Sequence, residues 1–308
     1  MFEAPVNQRL AAVIGAHLAK AADPSHRPVE PRCAATVMLV RDRPIEVFML
    51  RRASTMAFAP DAVVFPGGRV DPRDADPDLP WAGPSPAQWA RRMGCDEATA
   101  RQVVVAAARE LFEETGILLA ADAADAAASG FARPGGPGGP DGPSGIGGPD
   151  GPGASGGCGG PGGRGGRSWR RDRQRLARHE ECLAEILRRR GLVLRTDRLG
   201  LRARWLTPEF EPRRYDTFFF AVLAPPDQEP DAETLEAVGG AWERPERLIE
   251  QGRADQILLM PPTAHNLAQL AGAASAAAFV DENPPARQIM LTPKIKDDGQ
   301  VVLTCVLP

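Results

Sequence analysis

Residues 109–117 read Arg-Glu-Leu-Phe-Glu-Glu-Thr-Gly-Ile, and this stretch governs the interpretation of the chain. Upstream of it, apolar residues recur at helical spacing, at Val103, Val104, Ala107, Ala108, Leu111 and Phe112. Asp96 is a suitable N-cap for that helix, and Gly116 suits a left-handed C-terminal position. The pattern predicts one long helix that ends with residues 109–117.

Three carboxylates share one face of this predicted helix. Glu110, Glu113 and Glu114 lie at i, i+3 and i+4, so their Cβ atoms are about 5–6 Å apart. Such like charges repel. A solvated acidic helix face is one interpretation; the other is a divalent cation with oxygen ligands, for which Mg²⁺ or Mn²⁺ is the suitable ion.

A second motif, Phe65-Pro66-Gly67-Gly68, follows a predicted strand over residues 62–65. Together with residues 109–117 it resembles the signature of the Nudix hydrolases, in which a glycine precedes Glu and then Arg-Glu-x-x-Glu-Glu-x-Gly. Gly68 takes the opening position. Two features depart from the family: Asp74 stands where the family has its first Glu, and the spacer of seven residues is 34 residues here, over 75–108.

The resemblance implies a fold, an activity and a metal site. The fold is an α/β/α sandwich with a mixed sheet, and the activity is hydrolysis of a diphosphate linkage in a nucleoside diphosphate derivative. Glu110, Glu113, Glu114 and the backbone carbonyl of Gly68 are the implied ligands of Mg²⁺ or Mn²⁺. Arg109 is implied to hold a glutamate in its ligating rotamer.

Catalysis is assigned by the same resemblance to Glu113, Glu114 and Arg109, together with a general base whose position varies in the family. One recurrent site is a loop glutamate shortly before a tryptophan, and Glu236 stands six residues before Trp242. Glu114 is the competing base.

The long spacer resembles the acyl-coenzyme-A diphosphatase branch, which carries an insertion inside the Nudix box. Arg52-Ala53 precedes Phe65-Pro66-Gly67-Gly68 at the spacing of the coenzyme-A motif, although Ala57 and Asp61 occupy its middle Arg and Gly positions. Arg52 and Phe65 are the substrate-binding residues that this likeness implies. The expected substrate is coenzyme A or acyl-CoA, cleaved to 3′,5′-ADP and (acyl-)4′-phosphopantetheine.

Two alternatives stay open. An ADP-ribose or dinucleotide pyrophosphatase would have the same fold and the same metal motif. A nucleotide-sensing or RNA-binding Nudix module would explain a run of arginines, at Arg164, Arg167, Arg170, Arg171, Arg173, Arg175 and Arg178. Modules of that class usually lose box glutamates, whereas all three are present here.

Glycine and proline are concentrated in one segment. Residues 130–167 contain 19 of the 32 glycines and 7 of the 31 prolines, which predicts a disordered insert. We therefore expect an N-terminal helix and linker over 1–30, and a single Nudix domain over 31–129 and 168–308. Residues 72–95, rich in Pro and Asp, form an insertion within the box that is too polar to add much to the core.

Further elements are expected from hydrophobic patterning. Strands are predicted at 34–40 and 45–50 as a hairpin, at 203–206, at 217–223 and just before Trp242. Helices are predicted at 8–20, 169–190, 245–251 and 263–271.

Charge and cysteine content limit the partners. A net charge of −3 disfavours a protein that coats nucleic acid. The five cysteines are scattered without CxxC spacing, which favours a reducing, cytoplasmic location. No apolar stretch suits a signal peptide or membrane span. The expected partner is a small nucleotide or coenzyme-A-type substrate, and a homodimer stays open.

Overall fold

A computed structural model describes residues 2–4, 8–23, 25–42, 44–53, 62–128, 167–232, 237–295 and 301–305. The predicted insert at 130–167 falls outside these ranges except for Arg167. Glu236, the predicted base, also lies outside them.

Strands and helices alternate along the chain. In order they are β1 (Phe2–Ala4), α1 (Gln8–Ala21), β2 (Arg32–Arg41), β3 (Glu46–Arg52), β4 (Val63–Val64), β5 (Gly67–Arg69), β6 (Trp81–Ala82), α2 (Pro86–Met93), α3 (Glu97–Thr115), β7 (Ala120–Asp122), α4 (Ala123–Ala128), α5 (Arg167–Ala177), α6 (Leu183–Arg189), β8 (Leu192–Arg195), β9 (Gly200–Leu206), β10 (Tyr215–Leu223), β11 (Ala237–Glu243), α7 (Pro245–Arg253), α8 (Pro261–Ala271), α9 (Ala276–Asp281), β12 (Gln288–Met290), β13 (Thr292–Ile295) and β14 (Val301–Cys305). A short 3₁₀ helix, Pro72–Ala75, follows β5.

The largest sheet is mixed. Its strand order is β11-β3-β2-β10-β9-β12, with β4 paired to β3 and β5 paired to β2. β2 runs parallel to β10 and β12 parallel to β9, while the other neighbours are antiparallel. The predicted hairpin is β2–β3, which pairs Val40 with Val47.

Side chains alternate across this sheet and define two cores. On β2, Ala35, Val37 and Leu39 face one core, with α2 and α3. Met38 and Val40 face the other core, which contains residues of α1, α7, α8 and α9. The period of two is what a strand buried on both faces requires. Helices cover both faces, so the predicted α/β/α sandwich with a mixed sheet is confirmed.

Helix α3 has the predicted ends. The Asp96 side chain accepts a hydrogen bond from the Thr99 backbone N–H, as an N-cap does. Gly116 follows the helix with φ of 75°, a left-handed conformation that favours glycine. These caps fix where the acidic segment lies along the helix axis.

The box insertion contributes more to the core than its composition predicts. Within residues 72–95, Trp89 and Met93 are fully buried, and Leu79 and Trp81 are buried with them in the core under α3. Ser85 caps α2 and Pro86 begins it, so a polar-looking segment folds into an amphipathic helix. The expectation that this insertion adds little core is wrong, because an average composition hides the one apolar face of a short helix.

The predicted helix over 169–190 is two helices. It is interrupted between α5 and α6, where His179 takes a φ of 59°. The backbone N–H of Glu180 bonds to the carbonyl of Arg175, and that of His179 to the carbonyl of Leu176. These bonds form a Schellman motif, which terminates α5 despite the absence of glycine or proline.

Two small sheets join distant parts of the chain. β8 lies between β6 and β7, so the box insertion, the segment after α3 and the segment after α6 meet there. β1 pairs with β14, which also pairs with β13. Strand β1 was not predicted from the sequence. Within the described ranges, no helix is both long and apolar enough to cross a membrane.

We expect residues 130–166 to be dispensable for folding and turnover. The flanking elements have contacts of their own, since Ala126 packs with Val193 and Trp169 contacts Phe112 edge to face. Replacing the segment by about ten Gly/Ser residues, with a root-mean-square span of about 17 Å, shortens a loop. Urea unfolding should show a gain of about 1 kcal/mol, with diphosphate hydrolysis unchanged. Lost turnover in a folded variant would instead assign the segment a role in binding.

Candidate active site

The candidate site forms where β5 and the Phe65-Pro66-Gly67-Gly68 segment meet helix α3. A Cβ atom at Gly67 would lie 2.5 Å from the Ala35 carbonyl oxygen, and one at Gly68 would overlap the Glu110 carboxylate. Neither position accommodates a side chain. The two glycines therefore allow the helix to bring Glu110 directly against the backbone of β5.

Arg109 is the centre of the site's polar contacts. Its Nε and Nη2 atoms donate to the two carboxylate oxygens of Asp74 at 2.8 and 3.0 Å. Nη1 donates to Glu110 at 2.8 Å and to Glu113 at 3.3 Å. Nη2 also donates to the Arg69 carbonyl at 2.8 Å. One guanidinium thus holds three carboxylates and the end of β5 together.

Asp74 occupies the position at which the family has its first Glu. Its side chain is 2% exposed and that of Arg109 is 7% exposed, so their two-pronged pair is shielded from water. Asp74 also accepts a hydrogen bond from the Asp71 backbone N–H at 2.8 Å. The shorter acid therefore makes a bidentate contact with the box arginine despite the long spacer.

The acidic face of α3 is not a solvated face, because Glu110 is only 9% exposed. Burial raises the pKa of Glu110 to about 7, against the lowering effect of Arg109. Burial also raises the pKa of Glu113, again opposed by Arg109. For Arg109, burial acts to lower the pKa, but the hydrogen bonds to Asp74 and the neighbouring carboxylates raise it above its usual value. The site therefore holds several carboxylates in an environment that is shielded from water.

Glu114 contacts the same junction at the neighbouring glycine. Its carboxylate accepts a hydrogen bond from the Gly67 backbone N–H at 2.7 Å. Among the residues that the structure describes, no three His, Cys, Asp or Glu side chains converge closely enough to bind one metal ion as arranged. A shared ion would require these carboxylates to move closer together than they are in this arrangement.

The two predicted substrate-binding residues lie in different environments. Arg52 ends β3, and the β3–β11 register pairs it with Ala237, the residue after Glu236. Glu236 itself lies outside the described residues, so its distance from Arg52 stays untested. Phe65 is 3% exposed and packs in the core under α7 and α8. Its predicted substrate contact stays a prediction, and its burial indicates a packing role.

Sequence reasoning missed a cation at the C-terminal end of α3. The last turn of this helix carries no basic residue of its own, although a helix C-terminus favours positive charge. Arg173 of α5 supplies it: Nε donates to the Glu113 carbonyl at 2.8 Å, and Nη2 donates to the Asp231 carbonyl at 2.7 Å. The Asp231 N–H donates to the Thr115 carbonyl at 2.7 Å. No local spacing pattern could have indicated these contacts.

A cavity of about 380 Å³ lies beside this helix end. Its lining comprises Phe112 and Gly116 of the box segment, Trp169, Arg170 and Arg173 of α5, and residues 227–231 of the loop that follows β10. Because Phe112 directly precedes Glu113, the cavity adjoins the turn that bears the glutamates.

Comparison with known proteins agrees with this geometry. No protein-family model matches the chain. The acyl-coenzyme A diphosphatase NUDT19 of Gallus gallus is 29% identical over 255 residues, which is 73% of this chain and 61% of the relative. A nudix-named sequence from Caenorhabditis elegans is 38% identical over 87 residues, covering 28% of this chain and 22% of the relative. The chain thus spans less than two thirds of the length of both relatives.

A solved structure gives the fold. The NUDIX hydrolase from Alicyclobacillus acidocaldarius superposes with a TM-score of 0.57 at 25% identity, covering 81% of this chain and 95% of that structure. The sandwich is thus the fold of a Nudix hydrolase. The chain is similar to Nudix hydrolases in sequence and in structure, among them an acyl-coenzyme A diphosphatase.

We expect D74N to destabilise the protein. Removing one partner of a buried ion pair leaves the other charge less well compensated, which costs about 3 kcal/mol. Urea unfolding followed by circular dichroism measures the change. The matched control is D78N, an exposed acid of the same insertion, which should unfold like the wild type. Equal stability of D74N and D78N would contradict the central role of the Asp74–Arg109 pair.

Proposed function

We propose that this protein is a metal-dependent hydrolase that cleaves the diphosphate linkage of coenzyme A or acyl-CoA to 3′,5′-ADP and (acyl-)4′-phosphopantetheine. The observation that carries the proposal is the buried Arg109 network, which gathers Asp74, Glu110 and Glu113 and holds Glu110 against Gly68. The coenzyme-A substrate is supported by the similarity to an acyl-coenzyme A diphosphatase over 73% of the chain and by the position of Arg52 before the glycine motif.

The donor set fits Mg²⁺ or Mn²⁺. Carboxylate and carbonyl oxygens are the ligands that these hard cations prefer, and Arg109 alone does not balance the three carboxylates that it contacts. Burial raises the pKa of the Glu110 carboxyl despite the lowering effect of Arg109, so an added cation would stabilise the ionised form. Glu110, Glu113, Glu114 and the Gly68 carbonyl would hold the ion. When bound, the ion supplies charge neutralisation for the diphosphate and an activated water.

The chain's own residues prepare the site for that ion. Arg109 fixes the rotamers of Glu110 and Glu113 by direct hydrogen bonds, as a residue behind metal ligands does. Arg173 fixes the Glu113 backbone. For proton removal from water, Glu236 and Glu114 are the two candidates, and Arg52 would bind a substrate phosphate.

Substitution of the box glutamates tests the hydrolase and its metal dependence. We expect E113Q and E114Q each to lower kcat for coenzyme A at least about 10²-fold, because each removes a charged oxygen ligand or base. Chelation by EDTA should abolish wild-type turnover, and added Mg²⁺ or Mn²⁺ should restore it.

The matched control is E97Q, an exposed glutamate in the first turn of the same helix, which should retain wild-type turnover. Products are identified by chromatography. 3′,5′-ADP supports the coenzyme-A assignment, whereas AMP from ADP-ribose or a dinucleotide favours the other pyrophosphatase class. Nucleotide or RNA binding without turnover would favour a sensing module and contradict the proposal.

The general base is tested separately. If Glu236 activates the water, E236Q should reduce kcat by roughly 10²–10⁴-fold. E243Q is the control, because Glu243 ends β11, where it pairs with Val47 and not with Arg52. Unchanged turnover in E236Q would reject this base and leave Glu114 as the candidate.

A cytoplasmic location is proposed for the whole protein. The four cysteines in the described ranges, Cys33, Cys95, Cys182 and Cys305, are free thiols, as a reducing compartment favours. The partner that the site suits is a small phosphorylated molecule, and a homodimer is open to measurement by light scattering.

A further inference from the structure

The cavity beside the C-terminal end of α3 adjoins the Nudix box, although none of the described residues that line it is a box glutamate. Its volume of about 380 Å³ is within the range of roughly 300–1,000 Å³ for sites that hold small ligands. Two of its lining residues, Phe112 and Gly116, flank Glu113 in the sequence. Because one helical turn rises about 5.4 Å, the cavity wall lies within about one turn of this proposed metal ligand.

One wall of the cavity is the loop segment 227–231, which is bonded to the end of the box and to the residues after it. The Gln228 amide pairs with the backbone of Leu118: Oε1 accepts from its N–H at 2.8 Å, and Nε2 donates to its carbonyl at 3.1 Å. The Asp231 N–H donates to the Thr115 carbonyl at 2.7 Å. The wall is therefore formed before any ligand binds, which lowers the entropic cost of binding.

The wall formed by α3 and α5 is aromatic. Phe112 and Trp169 both line the cavity and contact each other edge to face, with ring centroids 6.2 Å apart. The guanidinium of Arg190 lies 3.8 Å from the Trp169 ring centroid, so the indole is held in position. Such fixed rings provide contact area for the apolar part of a ligand.

The charged groups around the cavity do not balance. Both of its arginines lie near one carboxylate, since Arg170 Nη2 is 3.8 Å and Arg173 Nη1 is 3.4 Å from the Asp231 carboxylate. The other two acids of the lining, Asp227 and Glu229, are exposed, and within the described ranges neither of them forms an ion pair. The cavity therefore presents two carboxylates whose charge no arginine of the lining offsets.

These charges distinguish between the two ends of a coenzyme A molecule. The nucleotide end carries a 3′-phosphate, and placing that anion beside Asp227 and Glu229 is unfavourable because like charges repel. The pantetheine arm is uncharged, and its amide N–H and hydroxyl groups can donate hydrogen bonds to carboxylates. Its methyl and methylene groups suit the aromatic wall. The cavity is thus complementary to the arm and not to the nucleotide.

We propose that the cavity is a binding site for the pantetheine arm of coenzyme A, with the carboxylates of Asp227 and Glu229 accepting hydrogen bonds from the arm and the Phe112–Trp169 pair packing against its apolar part. The inference rests on the proposed hydrolase function and adds to it a substrate-binding site outside the Nudix box. It makes residues 227–231 a determinant of specificity for the half of the substrate that is not a nucleotide.

Neutralising the two acids tests the proposal through the direction in which KM changes. D227N/E229Q preserves side-chain size and leaves the bonds of Gln228 and Asp231 in place, so the variant should fold, as circular dichroism and the melting temperature will show. With coenzyme A and Mg²⁺, we expect KM to rise about tenfold, because charge-assisted hydrogen bonds are replaced by weaker neutral ones. The value of kcat should stay unchanged, since the arm is bound equally in the ground and transition states. Each single variant should show a smaller rise.

Dephospho-coenzyme A provides a second substrate, because it retains the pantetheine arm and lacks the 3′-phosphate. We expect D227N/E229Q to raise KM for this substrate by the same factor as for coenzyme A. A rise confined to coenzyme A would show that the effect depends on the 3′-phosphate, and it would overturn the proposal.

E246Q/E250Q is the matched control. Both glutamates are exposed on α7, which packs in the core on the other side of the sheet from α3. The control changes the net charge by the same amount, so it measures the long-range effect of charge on an anionic substrate. It should not raise KM, and a rise equal to that of D227N/E229Q would overturn the proposal.

The outcomes separate this binding site from the function on which it rests. A lower KM in D227N/E229Q overturns the proposal, since relief of repulsion would place the 3′-phosphate in the cavity. An unchanged KM in the folded variant overturns the binding site and leaves the hydrolase function intact. No metal-dependent turnover of coenzyme A by the wild type overturns the proposed function and, with it, the ligand that the cavity is assigned to bind.

Discussion

The interaction on which this structure depends is the buried contact of Arg109 with Asp74, Glu110 and Glu113. A carboxylate as buried as Glu110 is costly without a nearby cation, and Gly67 and Gly68 beside the helix have no side chain to supply one. The guanidinium supplies that charge and, through the Arg69 carbonyl, joins the helix to the strand. The candidate metal site exists because this one side chain makes an acidic helix face compatible with burial.

The two cores hold that contact in place. The helix is fixed on one face of the sheet by Val103, Val104 and Leu111, and the glycine motif is fixed because β5 pairs with β2. The box insertion strengthens the arrangement, since Trp89 packs in the same core and contacts Phe220 edge to face. An insertion inside a catalytic motif is tolerated when it buries its own apolar face against the helix that it interrupts, because closing a longer loop costs little.

Most elements that the sequence predicts correctly are local ones. The ends of α3 follow from Asp96 and Gly116, and the β2–β3 hairpin follows from two apolar runs around a turn. The errors are also local in origin. The helix over 169–190 was continuous by its apolar pattern, yet a Schellman motif at His179 divides it. The composition of residues 72–95 hid α2, whose apolar face amounts to Trp89 and Met93. Hydrophobic periodicity indicates which residues prefer burial, but it does not indicate whether the helix is continuous between them.

By itself, the sequence determined that three carboxylates share a helix face, that a glycine pair precedes them and that both resemble the Nudix signature. Only the tertiary structure decided which groups meet those carboxylates. Hydrogen bonds join Asp74 to Arg109, Gly67 to Glu114 and Arg73 to His179. The partners are separated in sequence by 35, 47 and 106 residues respectively. The physical reason is that spacing along one helix is fixed by backbone geometry, whereas contacts between distant segments depend on how the sheets and cores bring those segments together.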